Sequence, residues 1–314
     1  MDHKTLDIII VNWNSGDQLK ECLRSVMLAD REGFSLSQVI VVDNASADGS
    51  LEGLESLDLP LKIINNDKNA GFGAACNQGA EISRADYLLF LNPDTKLNSD
   101  SLSMPLRYME AEANQDTGVC GIMLLNERGQ ADRTCTRLPR PGHFFVKIFG
   151  LDHIMPKIFK SHFMTEWNHE SSRQVDHVIG AFYLIRKRIF DKLGGFDTRF
   201  FVYLEDLDLS NRVDKIGYRV QYLAEAKAFH KGGGTSEQVK AKRLFYSLRS
   251  RILYGFKHFN VLSAVLLFAA TILIEPLMRL VLAASHRSIK EMKETIRGYM
   301  MLFRDIPDII RKIG

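Results

Sequence analysis

The chain has 314 residues, of which 46% are hydrophobic and 25% are charged. At roughly 150 residues per domain, this length predicts two domains or one large domain with an appendage. The composition excludes a disordered, collagen-like or mucin-like chain. A chain this long can bury a full core without disulfide or metal staples.

The net charge of +3 conceals an uneven distribution along the chain. Residues 235–314 contain 14 Lys and Arg against 6 Asp and Glu, whereas residues 1–234 contain 27 against 32. A mildly acidic body is therefore followed by a basic tail. Such asymmetry suggests nucleic acid or an anionic membrane surface as the partner of the tail.

Cysteine usage and the first residues bear on the cellular compartment. The four cysteines have neither the spacing of a metal site nor the density of a disulfide framework, so we predict reduced thiols in a core. They are Cys22, Cys76, Cys120 and Cys135. The first residues, MDHKTLDIIIVNWN, lack the basic region and long apolar stretch of a signal peptide, which predicts a cytoplasmic protein.

Apolar runs alternate with helix-like stretches over the first 125 residues. Predicted strands span residues 6–13, 38–44, 61–66 and 87–92. One predicted helix follows Ser15, and another, rich in small residues, spans 71–83. Continuous apolar strands separated by helices indicate a mostly parallel α/β sheet.

Asn and Asp side chains follow each of the four predicted strands. They are Asn12 and Asn14, Asp43 and Asn44, Asn69, and Asn92 and Asp94. In open α/β sheets, ligands bind outside the carboxyl ends of the strands. Loops are rich in these residue types for local reasons, but their recurrence after four strands predicts one shared site for a polar ligand.

The second half of the body is less regular. Residues 126–174 show little periodicity and predict a long loop region of the kind that forms binding loops or lids. Residues 175–185 predict a strand, and 205–217 predict a helix that ends at a glycine. We predict a pair of strands over 218–236, ending near His230.

The composition then changes to basic and apolar helices. Residues 237–260 predict a basic helix, and 261–274 lack any charge. Because a bilayer-spanning helix needs about 20 apolar residues, and Pro276 should kink the helix, this run predicts a buried or interfacial segment. Residues 285–304 predict an amphipathic helix with a basic polar face. The tail therefore contacts either a membrane surface or protein, in this chain or a second subunit.

Two glycine-containing segments have features of a nucleotide site. In VVDNASADGS (41–50), the Asp43 carboxylate can accept a hydrogen bond from a pyrimidine or ribose, or can simply form an Asx turn. In NAGFGAACNQG (69–79), Gly71 and Gly73 allow close approach of the backbone to a ligand, or tight packing of a helix on the sheet. The second segment has neither the GK[ST] nor the GxGxxG pattern, which disfavours P-loop enzymes and nucleotide-dependent dehydrogenases.

Three further features offer metal or proton chemistry. Asn92 and Asp94 in FLNPDT suit Mg²⁺ or Mn²⁺ bound to a diphosphate, or a turn. Glu205 and Asp206 begin a predicted helix, either as a general base or because acidic residues favour helix N-termini. His230, at a predicted strand end, is a metal ligand or a structural residue.

In this order, the motifs resemble the family 2 glycosyltransferases of the GT-A fold, and most closely the bacterial rhamnosyltransferase-like enzymes of cell-surface polysaccharide synthesis. The motifs are VNWN, VVDNASADGS, NAGFGAACNQG, FLNPDT, GGFDTRFFVYLEDLDLSNR and AFHKGGG. The resemblance covers about residues 5–235. It implies an α/β GT-A domain over 1–235, with a mostly parallel central sheet flanked by helices. A C-terminal helical, basic extension over 236–314 would associate with a membrane or form an oligomer.

The resemblance also implies roles for individual residues. Asp206 is the implied catalytic base, with Glu205 beside it. Asp94 and His230 are the implied ligands of Mn²⁺ or Mg²⁺, and Asn92 replaces the first Asp of the family's Asp-x-Asp motif. The implied nucleotide-sugar-binding residues are Val11, Asn12, Asn14, Asp43, Asn44, Ser46, Asn69, Gly71, Asn77 and Asn92.

The expected function is inverting, metal-dependent transfer of a sugar, first of all rhamnose from dTDP-rhamnose, to a lipid-linked or polysaccharide acceptor. The expected location is the inner face of the cell membrane, with the tail on lipid, no nucleic acid partner, and a homo-oligomer as an open possibility. UDP-galactofuranose, UDP-glucose and UDP-N-acetylglucosamine are alternative donors. A non-catalytic nucleotide-sugar-binding scaffold is the alternative class. A sugar nucleotidyltransferase is disfavoured because no glycine-rich, basic loop follows the first strand.

Overall fold

The computed structural model describes residues 4–151, 155, 158–159, 162–232 and 240–313. These residues form two compact units. Unit 1 holds the described residues of 1–137, 164–198 and 205–235, and unit 2 holds those of 138–163, 199–204 and 236–314. The predicted boundary between residues 235 and 236 lies outside the described residues.

Unit 1 is built on a nine-stranded sheet in which β3, β2, β1 and β4 are neighbouring parallel strands. Its strands are β1 (Lys4–Asn12), β2 (Phe34–Asp43), β3 (Leu61–Asn65), β4 (Tyr87–Leu91), β5 (Thr95–Leu97), β6 (Thr117–Leu125), β8 (Arg173–Val175), β10 (Phe182–Arg186) and β11 (Arg219–His230), while β7 (Cys135–Thr136) and β9 (His177–Val178) form a second sheet. Beyond β4 the order continues as β10, β6, β11 and β5, and β8 pairs with β11. The predicted α/β class is confirmed.

Helices cover both faces of this sheet because its strands are apolar on both sides. They are α1 (Asp17–Leu28), α2 (Phe72–Glu81), α3 (Ser103–Glu110), α5 (Lys187–Lys192) and α6 (Glu205–Lys215). Helix α4 (Pro141–Ile148) is part of unit 2 instead. Ile8 lies in a core cluster with Leu19 of α1, and Ile9 lies in the opposite cluster with Cys76 of α2. This alternation follows the two-residue period of a strand. All four cysteines are buried free thiols, as predicted, and burial raises the pKa of Cys135 to about 12.

Two predicted elements differ in the structure. The expected strand pair over 218–236 is wrong in its described part, because β11 is one strand that runs unbroken to His230. Its pairing with β6 shifts register between Leu223 and Lys227, so that β11 has more residues there than β6. The predicted strand over 175–185 is divided into β9 and β10 around Gly180. Residues 179–181 therefore depart from regular strand geometry. The N–H of Gly180 donates a hydrogen bond to the side chain of Asp206.

Close packing of β6 against β9 gives the first testable prediction. A Cβ on Gly121 would lie 2.7 Å from Cβ of Val178, closer than real Cβ contacts. We expect Gly121→Ala to lower the free energy of unfolding by about 1–3 kcal/mol through overpacking. The measurement is the urea midpoint at unchanged slope. Gly142→Ala is the matched control, since no atom lies within 4 Å of its added Cβ; an equal loss in both variants would contradict the packing argument.

Unit 2 contains four long or apolar C-terminal helical segments. They are α7 (Lys240–His258), α8 (Val261–Ala269), α9 (Glu275–Ser285) and α10 (Ile289–Ile313), with a π-helical turn at Ala270–Ile274. Pro276 is the second residue of α9, directly after the π turn, in the first turn of the helix where a missing N–H is tolerated. The chain is therefore helical over Val261–Ser285, which is long and apolar enough to cross a membrane by length and composition alone. The uncharged run of residues 261–274 is thus part of a longer helical segment.

A buried ion-pair cluster ties this apolar segment to α7. Glu275 is 2% exposed and contacts Arg251 of α7, and its Oε1 lies 2.8 Å from Nη2 of Arg279. Burial opposes ionisation of Glu275, but Arg251 and Arg279 together hold its pKa below the ordinary value. The apolar segment thus has a charged residue, Glu275, in its middle, and the ion pair with Arg251 fixes the segment to the basic helix α7.

The predicted amphipathic helix is α10, but its apolar face divides in two. Tyr299 is buried within unit 2 beside Gly298. Ile289, Ile296 and Phe303 remain 68%, 47% and 48% exposed. Because these three follow one another at seven-residue intervals, they form a single exposed stripe along the helix.

Candidate active site

The polar residues predicted at the strand ends do meet at one edge of the sheet. Asn12 of β1 is in register with Asp43 of β2, and Asp43 with Asn65 of β3. The turn after β4 carries Asn92 and Asp94. All of these lie at the carboxyl ends of parallel strands, where open α/β sheets bind ligands.

Asn12, Asp43 and Ser46 form a hydrogen-bonded cluster. Asn12 is fully buried, and its Nδ2 donates to Oδ1 of Asp43 at 2.7 Å. The Ser46 backbone N–H and hydroxyl donate to the two carboxylate oxygens of Asp43 at 2.9 and 2.6 Å. Asn14 adopts a positive φ of 49° and accepts a hydrogen bond from the N–H of Ala47. The carboxylate of Asp43 is therefore held rigidly at the end of β2.

A second group surrounds the start of α2. Oδ1 of Asn69 accepts the N–H of Gly71 at 2.9 Å, and Nδ2 of Asn44 donates to the carbonyl of Gly71 at 3.3 Å. Gly71 has φ 90°, a conformation that requires glycine. The packing of α2 is also tight, since a Cβ on Gly79 would lie 2.7 Å from Cγ2 of Ile9. Packing therefore explains Gly79, whereas contact of Gly71 with a ligand stays a prediction.

Two predicted binding residues have side chains that are engaged within the protein itself. Asn77 donates from Nδ2 to the carbonyl of Phe196 at 2.8 Å and accepts the Phe196 N–H at 2.9 Å. Its amide thereby fixes the turn that precedes α6. The side chain of Val11 is buried in a core cluster with Val42. Through its side chain, each of these residues contributes to the shape of the site.

Asp94 and His230 come together from distant parts of the chain. Oδ1 of Asp94 lies 3.4 Å from Nε2 of His230, and both side chains are about one-tenth exposed. The pairing of β5 with β11 places His230 opposite Thr95. Nδ1 of His230 is buried without a hydrogen-bond partner among the described residues. Asn92, half-buried, begins the turn that carries Asp94.

Glu205 and Asp206 begin α6 but differ in environment. Glu205 is 5% exposed, and burial, followed by the charge of Asp206, raises its pKa well above the ordinary value. The Asp206 side chain is 18% exposed. Its Oδ2 accepts the N–H of Gly180 at 2.8 Å, and its Oδ1 accepts that of Leu207 at 2.8 Å. Burial therefore disfavours the charged form of Glu205, and Asp206 is the more accessible of the two carboxyl groups.

The sequence reasoning missed the segment that joins these groups. The N–H of Gly180 binds Asp206, and the carbonyl of Ala181 accepts the N–H of Asn92 at 3.0 Å. His177, at the start of the same segment, lies behind Asp206 with its Nε2 3.8 Å from Oδ2. A glycine inside a predicted strand was the available signal for Gly180, whereas nothing in the sequence marked His177.

Comparisons with known proteins agree with this architecture. The profile of Glycosyl transferase family 2 matches residues 7–194. The chain is 26% identical over 240 residues to an N-acetylglucosaminyl-diphospho-decaprenol L-rhamnosyltransferase of Mycobacterium tuberculosis, covering 72% of this chain and 75% of the relative. It is 29% identical over 253 residues to the rhamnosyltransferase WbbL of Escherichia coli, covering 79% and 91%.

Solved structures share the fold at low sequence identity. A Staphylococcus aureus TarS fragment in complex with UDP-GlcNAc matches with a TM-score of 0.57 and 15% identity, over 99% of this chain and 82% of that one. The Pyrobaculum calidifontis mannosyltransferase PcManGT, in complex with GDP-Man and Mn²⁺, matches with a TM-score of 0.55 and 16% identity, over 98% and 84%. The predicted GT-A fold is confirmed, and the chain belongs to glycosyl transferase family 2, as its motifs predicted.

Proposed function

We propose that this glycosyltransferase catalyses an inverting transfer of rhamnose from dTDP-rhamnose to a lipid-linked saccharide. The observation that carries the chemistry is the pair at the start of α6, where a partly exposed Asp206 adjoins a buried Glu205. One accessible carboxylate provides one base, which is what a single displacement requires.

Asp206 is the proposed base. It removes the proton from the acceptor hydroxyl, whose oxygen attacks the anomeric carbon from the face opposite the nucleoside diphosphate. The bond from that carbon to the diphosphate oxygen breaks, and the configuration inverts in one step. No protein nucleophile is needed for this route.

The donor is proposed to bind along the carboxyl ends of β1, β2 and β4. Asp43, fixed by Asn12 and Ser46, is positioned to accept hydrogen bonds from the nucleoside. The backbone around Gly71, held by Asn69 and Asn44, provides a close approach for the remainder of the nucleotide sugar.

Asp94 and His230 are proposed to hold a divalent metal. A carboxylate and an imidazole 3.4 Å apart, with the imidazole Nδ1 lacking a partner among the described residues, suit a cation that shares its coordination with a diphosphate. Such an ion supplies positive charge for the leaving group when bound. A neighbouring solved structure contains Mn²⁺, which supports this choice of cofactor.

The choice of sugar follows the relatives. Two similar proteins are named as rhamnosyltransferases, and one of these names specifies a diphospho-decaprenol-linked acceptor. The structural neighbours bind UDP-GlcNAc and GDP-Man, so other donors remain the alternative. A non-catalytic scaffold would keep the nucleotide pocket without transferring sugar.

The tail is proposed to hold the enzyme at the cytoplasmic face of the membrane, where a lipid-linked acceptor is found. Exposed apolar residues of α8 and α9 include Val261, Leu266 and Leu277, which are 76%, 51% and 63% exposed. The buried pair of Glu275 with Arg251 ties this segment to a basic helix. Burying such charges in a bilayer is costly, which favours surface attachment over a span.

Calorimetric titration of dTDP, UDP and GDP, each with and without Mn²⁺ or Mg²⁺, tests the donor and metal proposals. We expect micromolar, metal-dependent binding of dTDP. Asp94→Ala should weaken binding in Mn²⁺ at least about tenfold, as loss of a metal-site interaction does, and leave metal-free binding unchanged as the internal control. Tighter binding of UDP or GDP would reassign the donor, and no binding by the folded protein would refute the donor proposal.

A further inference from the structure

A buried histidine lies directly behind the proposed base. His177 of β9 is 3% exposed and contacts two successive turns of α6. Its Nδ1 lies 2.9 Å from Oγ of Ser210, and its Nε2 lies 3.8 Å from Oδ2 of Asp206. Because Asp206 and Ser210 are four residues apart, they share one face of the helix. The imidazole therefore lies between the proposed base and a hydroxyl one turn further along α6.

The hydrogen-bond directions in this cluster can be worked out from the charges. Burial lowers the pKa of His177, the charge of Asp206 opposing this only in part, so the ring is neutral and carries one N–H. A lone pair on Nε2 would face the Asp206 carboxylate, which is repulsive. The N–H is therefore on Nε2, and Nδ1 accepts from the Ser210 hydroxyl. Ser210 in turn accepts from Tyr183, whose hydroxyl lies 3.0 Å away.

We infer that His177 is a positioning residue that directs an N–H at Asp206 and stabilises its anionic form; the inference rests on the proposed role of Asp206 as base. The N–H of Gly180 and Nε2 of His177 both lie on the side of Oδ2, while among the described residues Oδ1 accepts from Leu207 alone. Each carboxylate oxygen has two lone pairs, so Oδ1 retains one for the acceptor hydroxyl. The distance of 3.8 Å is too long for a hydrogen bond, and such contacts commonly shorten once substrate is bound.

The other charged groups near His177 do not compete for this role. Asp176 precedes it in the chain and influences its pKa less than Asp206 does. Asp208 lies on α6, where its Oδ2 accepts from Nε of Arg212 at 2.8 Å. Glu205 is 5% exposed, and burial raises its pKa and disfavours its charged form. A change in the acid side of the pH profile on replacing His177 therefore reports on Asp206.

Two substitutions test the inference by kinetics. His177→Phe keeps a ring but removes both nitrogens, and His177→Gln returns an N–H near the position of Nε2. We expect the Phe variant to lower kcat by about 10- to 100-fold, as expected for a misplaced base, with the Kd of the donor nucleotide unchanged. Losing a donor raises the pKa of a carboxylate, so the acid limb of kcat moves to higher pH. The Gln variant should recover most of both effects.

The inference is overturned if the Phe variant keeps the wild-type kcat and acid limb. It is also overturned if the Phe and Gln variants lose activity and donor binding equally, because that result indicates a purely structural role.

A second measurement does not depend on activity. The ¹⁵N shifts of histidine-labelled wild-type protein report the tautomer of each ring, and the resonance missing from His177→Gln identifies His177. We expect the Nε2–H tautomer, and an Nδ1–H tautomer would overturn the inference even in an active enzyme. Retention of transfer by Asp206→Asn, with the expected tautomer present, would instead refute the proposed base and, with it, the role of His177 in the reaction.

Discussion

Asp206→Asn is expected to lower kcat by at least about 100-fold and up to about 10,000-fold, the range attributed to a general base. The substitution keeps the shape of the side chain, and its Oδ1 can still accept the N–H of Gly180 that now binds Asp206 at 2.8 Å. The Kd of the donor nucleotide, measured by calorimetry, should stay within about twofold of the wild type because only the transition-state interaction is lost.

Glu205→Gln is the matched control for this prediction, because it makes the same change at the neighbouring residue. Burial and the adjacent charge raise the pKa of Glu205 and so favour its neutral form. Replacing the acid with a neutral amide should therefore leave kcat within about threefold. If Glu205→Gln abolishes transfer and Asp206→Asn does not, the roles of the two residues are reversed. If Asp206→Asn loses donor binding together with transfer, Asp206 has a structural role. Wild-type protein that binds donor and never transfers sugar would favour the scaffold alternative.

The sheet and the approximate location of the site could be predicted from the sequence because both depend on local patterns. The β-branched run ending at Asn12 and the run ending at Asp43 are readable as buried strands, and parallel strands bring their carboxyl ends to one edge. Helix α6 was equally readable, since Leu209 and Val213 are four residues apart on one buried face.

The remainder depended on contacts that no local pattern encodes. The family resemblance implied that Asn77 lines the nucleotide-sugar pocket, and the structure shows that its amide is engaged by the backbone of Phe196, 119 residues away. Only tertiary structure places His177 against Asp206. The difference in burial between Glu205 and Asp206 is likewise a tertiary property, which two adjacent acidic letters do not reveal.

The full extent of the apolar helical segment was not predicted, for a related reason. Pro276 was read as an interruption, but the π turn of Ala270–Ile274 carries the helix into it without a break. The amphipathic pattern of α10 was real, yet it serves two purposes. Tyr299 packs inside unit 2, and Ile296 and Phe303 stay exposed.

The double substitution Leu266→Glu and Leu277→Glu is expected to weaken binding of the full-length chain to anionic vesicles by about 100-fold or more. Burying one leucine side chain contributes about 1.5–3 kcal/mol. Each tenfold change in binding corresponds to about 1.4 kcal/mol, so losing two leucines weakens binding by two factors of ten or more. The new carboxylates are also repelled by anionic lipid. Both leucines are more than half exposed in unit 2, so their replacement should leave folding intact. Cosedimentation with vesicles measures the partition coefficient.

Leu28→Glu is the control, because it places the same charge on a residue that is 76% exposed in unit 1. It should leave vesicle binding unchanged, since α1 carries no comparable run of exposed apolar residues. Raising the salt concentration should weaken binding of all forms that retain the basic surface, which includes the exposed Lys290 and Lys293. If the wild type never cosediments with vesicles, and the double variant instead converts a dimer into a monomer, the exposed leucines serve a second copy of this chain and the membrane proposal is wrong. The exposed leucines therefore contact either a membrane or a second copy of this chain. Vesicle cosedimentation and the oligomeric state of the double variant, each compared with Leu28→Glu, decide between these two partners.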